Sequence, residues 1–151
     1  MVKRILVING PNLNMLGIRE PEIYGRMTYA ELERFIRAAA REANLEVELF
    51  QSNHEGALID AIQGAHGRMD GIIINAGAYT HTSIALLDAL QSVALPAAEV
   101  HLSNLEARED FRRPSYVRAA CGYSVMGRGA EGYRLALQWL KQQLINNEGK
   151  I

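Results

Sequence analysis

The sequence predicts an α/β fold, a doubly wound parallel sheet of five strands in one domain spanning 1–151, and three observations carry that prediction. Short apolar runs with β-branched residues, such as Ile5-Leu6-Val7-Ile8 and Ile72-Ile73-Ile74, read as strands buried on both faces. Segments of helical periodicity alternate with them along the chain, which suits right-handed crossovers and helices on both sides of a sheet. Three of the runs end in uncharged polar clusters: Asn9-Gly10-Pro11-Asn12, Asn75 with Thr80-His81-Thr82-Ser83, and His101-Leu102-Ser103-Asn104. Ligands of open α/β sheets bind beyond the carboxyl ends of the strands, so these clusters mark one site for a small polar molecule.

Residues 4–9 form the first strand. Thr28-Tyr29-Ala30-Glu31 has the form of a capping box and opens a helix with Tyr29, Leu32, Phe35, Ile36, Ala39 and Ala43 on its apolar face. Leu45 to Gln51 alternates apolar and acidic residues, as a strand with one wetter face does. Leu58, Ile59 and Ile62 mark a second helix ending near Gly64 or Gly67. Residues 71–75 are the third strand, and Ile84, Leu87, Leu90 and Val93 define the next helix. Pro96 starts the fourth strand. A polar loop over 103–115 leads to a fifth strand at about 119–126. The last helix runs from about Ala130 to Ile145 on Leu135, Trp139, Leu140 and Leu144, and 146–151 is expected to fray. The order 2-1-3-4-5, as in flavodoxin-like sheets, places the switch point between strands 1 and 3, where two of the polar clusters lie.

Composition narrows the function. The chain of 151 residues is 48% hydrophobic with a formal net charge of -1, which disfavours a nucleic-acid binder and predicts an ordered core. No apolar stretch reaches the length of a membrane span. The run after Met1-Val2-Lys3-Arg4 is too short for a signal peptide and breaks into Asn-Gly-Pro-Asn. The single cysteine, Cys121, cannot pair internally and reads as a small core residue, so a cytoplasmic protein is expected.

Residues 10–27 are an unusually long connection from strand to helix. Such loops serve as lids, and this one holds Arg19 and Tyr24 between Gly17 and Gly25 as hinges. Arg108, Arg112 and Arg113 in the second long loop suit a small carboxylate. Gly127-Arg-Gly129-Ala-Glu-Gly132 matches the dinucleotide-binding pattern, but the chain ends before the required second strand, so it reads as a tight turn and helix entry. No nucleotide cofactor is expected. The histidines lack zinc-like spacing, so no metal is expected either. Lys3, Lys141 and Lys150 lie far in sequence from the polar clusters, which disfavours Schiff-base chemistry.

Two pairings have chemical meaning. Glu99 and His101 fall on one side of a strand, and a carboxylate that orients an imidazole and favours its protonated form suits a general acid. Positive charge from Arg19 near Tyr24 favours a phenolate, a useful base. Together these suit removal and delivery of protons on a small oxyanion, with Asn12 or Asn75 stabilising an enolate. The main alternative is a module that binds flavin or phosphate. Pro11, lacking an amide hydrogen, makes a poor phosphate loop. A phospho-receiver would need Asp where the strand ends carry Asn.

The motifs Asn9-Gly-Pro-Asn-Leu-Asn, Leu16-Gly-x-Arg19-Glu-Pro-x-x-Tyr24-Gly25, Gln51-Ser-Asn-His-Glu-Gly56, Asn75-Ala-Gly-Ala-Tyr-Thr-His81-Thr-Ser83, Glu99-Val-His101-Leu-Ser-Asn104 and Ala107-Arg108-Glu-x-Phe-Arg112 resemble type II 3-dehydroquinate dehydratases. The match runs over nearly the whole chain. It implies anti elimination of water from 3-dehydroquinate through an enolate, giving 3-dehydroshikimate, in the shikimate pathway or quinate breakdown. By motif, Tyr24 would be the base with Arg19 favouring its phenolate, His101 the acid oriented by Glu99, and Asn12 the holder of an enolate-stabilising water. Asn75, His81, Leu102, Ser103 and Arg112 would grip the ring hydroxyls and carboxylate, and Arg108 would help close the loop. The resemblance further implies a homododecamer of four trimers, with Asp88 reaching a neighbouring subunit's site. Leu87 and Glu106 depart from residues frequent in such proteins, Arg and His respectively.

Overall fold

The computed structural model describes residues 1–149. Five parallel strands, β1 (Lys3–Asn9), β2 (Leu45–Gln51), β3 (Gly71–Asn75), β4 (Ala97–His101) and β5 (Tyr123–Met126), lie in the order β2-β1-β3-β4-β5. The helices are α1 (Pro21–Tyr24), α2 (Tyr29–Glu42), α3 (Glu55–Gly64), α4 (Ile84–Val93) and α5 (Glu131–Glu148). Alternation along each buried strand sorts side chains to two cores. Ile5 and Val7 of β1, with Ile73, Ala98 and Val100, face α2 and α5; Leu6, Ile8, Ile72 and Ile74 face α3 and α4. The edge strand β2 keeps Glu46 and Glu48 exposed, as its alternation predicts.

Most element boundaries agree with the sequence reading, and the differences have physical causes. β5 begins at Tyr123, because Val117–Ala120 closes a 3-10 turn that buries Val117 against α4's side of the sheet. The burial stripe of α4 is Leu86, Ala89, Leu90 and Val93. Ile84 is exposed and Leu87 half-buried, because the helix enters through Ser83, whose hydroxyl accepts from the Leu86 amide and so orients the first turn. α5 continues through Asn146 to Glu148, where Lys3 pairs with Glu148 at 2.8 Å, so the expected fraying does not extend there; 150–151 lie outside the described residues. Leu135 of α5 is half-buried, and Tyr133, Ala136 and Leu137 take the core positions beside Leu140 and Leu144. Phe35 of α2 is half-buried beneath the Arg134 guanidinium, 5.0 Å from its ring centre. Thr28 caps α2, its hydroxyl accepting from the Glu31 amide at 3.1 Å. Cys121 is half-buried just before β5, with burial pushing its thiol up to about 12.

The strand ends bring their polar residues into one row. Gln51, Asn9 and Asn75 are register partners across β2, β1 and β3. The chain leaves β1 so close to the end of β3 that a Cβ on Gly10 would lie 2.5 Å from the Ala76 carbonyl oxygen. Only glycine fits there, and its amide donates to the Asn75 carbonyl at 2.7 Å. Gly127 and Gly129 adopt φ of 74° and 54° in the turn between β5 and α5, so the glycine-rich motif serves chain reversal and helix entry.

Candidate active site

A cleft opens at the carboxyl edge of β1, β3 and β4. Its walls come from the lid (Asn12, Arg19, Tyr24), the end of β3 and its turn (Asn75, His81), the end of β4 (His101, Leu102, Ser103), and the loop beyond (Arg108, Arg112). The structure thus gathers nearly every residue that the sequence nominates. Glu99 stands directly behind His101, fully buried. Asp88 is exposed on α4 and does not line this cleft.

Glu99 and His101 are two residues apart on β4 and therefore share a face. The His101 Nε2 donates to Glu99 Oε2 at 2.7 Å, leaving Nδ1 as the ring's free nitrogen toward the cleft. The same carboxylate accepts from Ser115 at Oε2, and at Oε1 from Arg118 Nε (2.8 Å) and Ser124 Oγ (2.7 Å). Ser124 arrives by register, since it is the β5 partner of Glu99. Burial alone would raise the Glu99 carboxyl, but bonds from His101, Ser115 and Ser124 outweigh it and hold the group at about 2. Its depressed value stabilises the fold above the ordinary carboxylate range and is lost as pH falls from 4.5 through about 2, a contribution on the order of 3 kcal/mol. The stability gap between the native chain and Glu99→Gln, measured by urea unfolding, is therefore expected to shrink across that window.

His81 is built differently. Its Nδ1 donates to the Pro114 carbonyl at 2.8 Å, which leaves Nε2 as an acceptor. Burial lowers its pKa, the Pro114 bond opposes this, and the positive surroundings of His101 and Arg112 lower it further. One imidazole is thus backed by a carboxylate and suits proton donation. The other is backed by a carbonyl and suits accepting a bond from a hydroxyl.

On the lid, Arg19 stacks over the Tyr24 ring with its guanidinium carbon 4.4 Å from the ring centre. Arg108 donates to the Tyr24 hydroxyl at 2.7 Å and also lies 5.2 Å from the ring centre. The sequence pairing of Arg19 with Tyr24 holds in space, but Arg108 makes the direct bond to the phenol oxygen. Hydrogen bonds from a cation favour the phenolate form of a tyrosine in general. Residues separated by 84 positions leave no local pattern, so nothing in the sequence pairs Arg108 with Tyr24.

Beneath Asn75 lies a second network absent from the sequence reading. The buried Tyr133 hydroxyl donates to Asn9 Oδ1 at 2.5 Å and accepts from Asn75 Nδ2 at 3.1 Å. Asn75 Oδ1 accepts from the Gly77 amide at 3.2 Å, and Asn9 Nδ2 donates to the Tyr29 hydroxyl at 3.3 Å. These bonds fix the Asn75 amide so that its remaining N–H is free for a ligand. Asn12 holds a left-handed backbone (φ 70°), pinned by its amide's bond to Asn53 Oδ1 at 3.0 Å. Asparagine tolerates this left-handed region better than most residues, so the turn that carries it to the cleft costs little. Arg112 lines the cleft while its Nε donates to Glu109 at 2.7 Å. Ser83, a hydrogen-bonding residue of the second cluster, is spent as the α4 cap.

Comparison with known proteins accounts for this assembly. The family model for dehydroquinase class II matches residues 3–141. A 3-dehydroquinate dehydratase of Bradyrhizobium diazoefficiens is 57% identical over 141 residues, 93% of this chain and 91% of that protein. A catabolic 3-dehydroquinase of Aspergillus terreus is 53% identical over 138 residues, 91% of each. The crystal structure of a type II dehydroquinase from Butyrivibrio crossotus superposes with a TM-score of 0.90 at 50% identity, covering 92% of this chain and 97% of that one. With its sheet order, its lid tyrosine and its buried carboxylate–imidazole pair, this chain belongs to the class II dehydroquinase family.

Proposed function

We propose that this chain dehydrates 3-dehydroquinate to 3-dehydroshikimate by anti elimination, with Tyr24 as base and His101 as acid, in the shikimate pathway or in quinate breakdown. The observation that carries the residue assignment is the presence in one cleft of a tyrosine hydroxyl bonded by an arginine and an imidazole bonded by a buried carboxylate. The two groups come from different walls, the lid and the end of β4. Tyr24, as phenolate, takes the C2 proton, and the electron pair of that C–H bond moves into the C3 ketone as an enolate. Asn12 holds the water that stabilises the enolate. As the enolate collapses, the C1–O bond breaks and His101 protonates the departing hydroxyl, giving water and a C1–C2 double bond. A proton then passes from Tyr24 to His101 through solvent, which restores both groups.

Arg112 matches the substrate carboxylate, and Asn75, His81, Leu102 and Ser103 hold its ring hydroxyls. The elimination is redox-neutral and the ketone is its own electron sink, so the reading assigns no cofactor or metal. No lysine lines the cleft among the described residues, which separates this chemistry from a Schiff-base route. The same reading places one catalytic domain in the cytoplasm, as a homododecamer of four trimers in which Asp88 completes a neighbour's site. The exposure of Asp88 outside its own cleft supports that placement, and among the described residues no helix is long and apolar enough to cross a membrane. Native mass spectrometry showing a twelve-chain species supports the assembly, and a stable monomer at working concentration overturns it.

The activity itself is read from absorbance. Purified protein with 3-dehydroquinate, free of metal and nucleotide, is expected to generate a conjugated enone. No turnover by the correctly assembled protein refutes the proposal.

A further inference from the structure

We infer that Arg118 is a positioning residue that sets the acid strength of His101 through the carboxylate of Glu99, which the two share. The inference rests on the acid role proposed for His101. Arg118 lies on the 3-10 turn Val117–Ala120, outside the cleft lining, and its Nε donates to Glu99 Oε1 at 2.8 Å. His101 donates to the other oxygen of that carboxylate at 2.7 Å. Glu99 is fully buried, whereas the Arg118 side chain keeps 41% of its surface exposed, so solvent screens its charge only in part and the bond to Oε1 carries the coupling. Arg118 is also held in place from behind, because its amide donates to Ser115 Oγ and Ser115 in turn donates to Glu99.

The consequence for His101 follows from charge. A buried carboxylate with an imidazole as sole partner holds the imidazolium tightly, and the ring becomes a weak acid. A permanently charged guanidinium on the opposite oxygen, with two hydroxyl donors, disperses that negative charge. The imidazolium is held less tightly and gives up its proton more readily to a departing hydroxyl, while Glu99 stays ionised. The other groups facing His101 are His81 from the turn after β3, Arg108 and Arg112 from the loop after β4, and Arg19 and Tyr24 from the lid; Cys121 faces Glu99 as a neutral thiol. Among the described residues, Arg118 is the one arginine bonded to the carboxylate that orients the ring.

The test reads His101 directly. The chain has four histidines, so protein labelled with ¹³C at the imidazole Cε1 gives a small set of resonances, and His101→Ala identifies the one of interest. In Arg118→Met the His101 titration midpoint is expected to rise by about one pH unit, with kcat near neutrality down about tenfold and KM little changed. Arg118→Lys, which keeps the charge, is expected to recover most of both effects. Ser124→Ala removes the second donor to Oε1 and shifts the midpoint the same way by less, which keeps the test available if Arg118→Met folds poorly. An unmoved midpoint in folded Arg118→Met and Ser124→Ala overturns the coupling. A raised midpoint with unchanged kcat overturns the positioning role. The titration needs no substrate, so failure of the coupling is distinguishable from absence of dehydratase activity in the native chain.

Discussion

Tyr24→Phe is expected to lower kcat by about 10³-fold or more while leaving ligand affinity within a few-fold of native. Phenylalanine keeps the ring under Arg19, so the lid retains its stacking contact. What disappears is the hydroxyl and, with it, the bond from Arg108. A proton beside a ketone still needs a base within hydrogen-bond reach, and among the described residues no other wall of the cleft offers a comparable phenol. Steady-state kinetics together with calorimetric binding of a planar mimic of the enolate separate the two effects. A variant that keeps a tenth or more of native kcat moves the base assignment elsewhere.

His101→Ala is expected to lower kcat by about 10²–10³-fold at a different step. Arg118, Ser115 and Ser124 still bond Glu99 in that variant, so the buried carboxylate keeps three of its four donors and the fold is retained. The enolate still forms but cannot expel its hydroxyl efficiently. In deuterium oxide, substrate recovered from His101→Ala therefore gains deuterium at C2 above the protein-free rate, whereas substrate recovered from Tyr24→Phe does not. Added imidazole partly restores turnover to His101→Ala alone. Identical exchange in the two variants contradicts the division into base and acid.

Features set by short-range covalent geometry were readable from the chain. Glu99 and His101 share a strand face because alternation has period two, and no tertiary contact is needed to place them together. Arg19 and Tyr24 sit in one loop, so their pairing needed only a local turn. A sheet covered by helices on both faces followed from crossover handedness, and its order 2-1-3-4-5 from likeness to flavodoxin-like sheets. The sequence reading was weakest where a competing local structure intervened: the fifth strand, expected from about 119, begins at Tyr123 because Val117–Ala120 turns, and α4 rotates its stripe from Ile84 to Leu86 because Ser83 caps it.

Tertiary structure decided how the catalytic groups are supported. Arg108 comes from 84 positions away to bond Tyr24, Tyr133 reaches across 124 positions to Asn9, and Arg118 and Ser124 converge on Glu99 from a turn and a neighbouring strand. Side chains so far apart leave no periodic trace, because their meeting depends on the path of the whole chain and the burial of both cores. The sequence by itself located the cleft at the polar ends of β1, β3 and β4 and nominated the residues proposed here as its acid and base. Only the fold decided which cations bond the base and which groups share the carboxylate behind the acid, because in a buried site those strengths depend on what surrounds each charge in space.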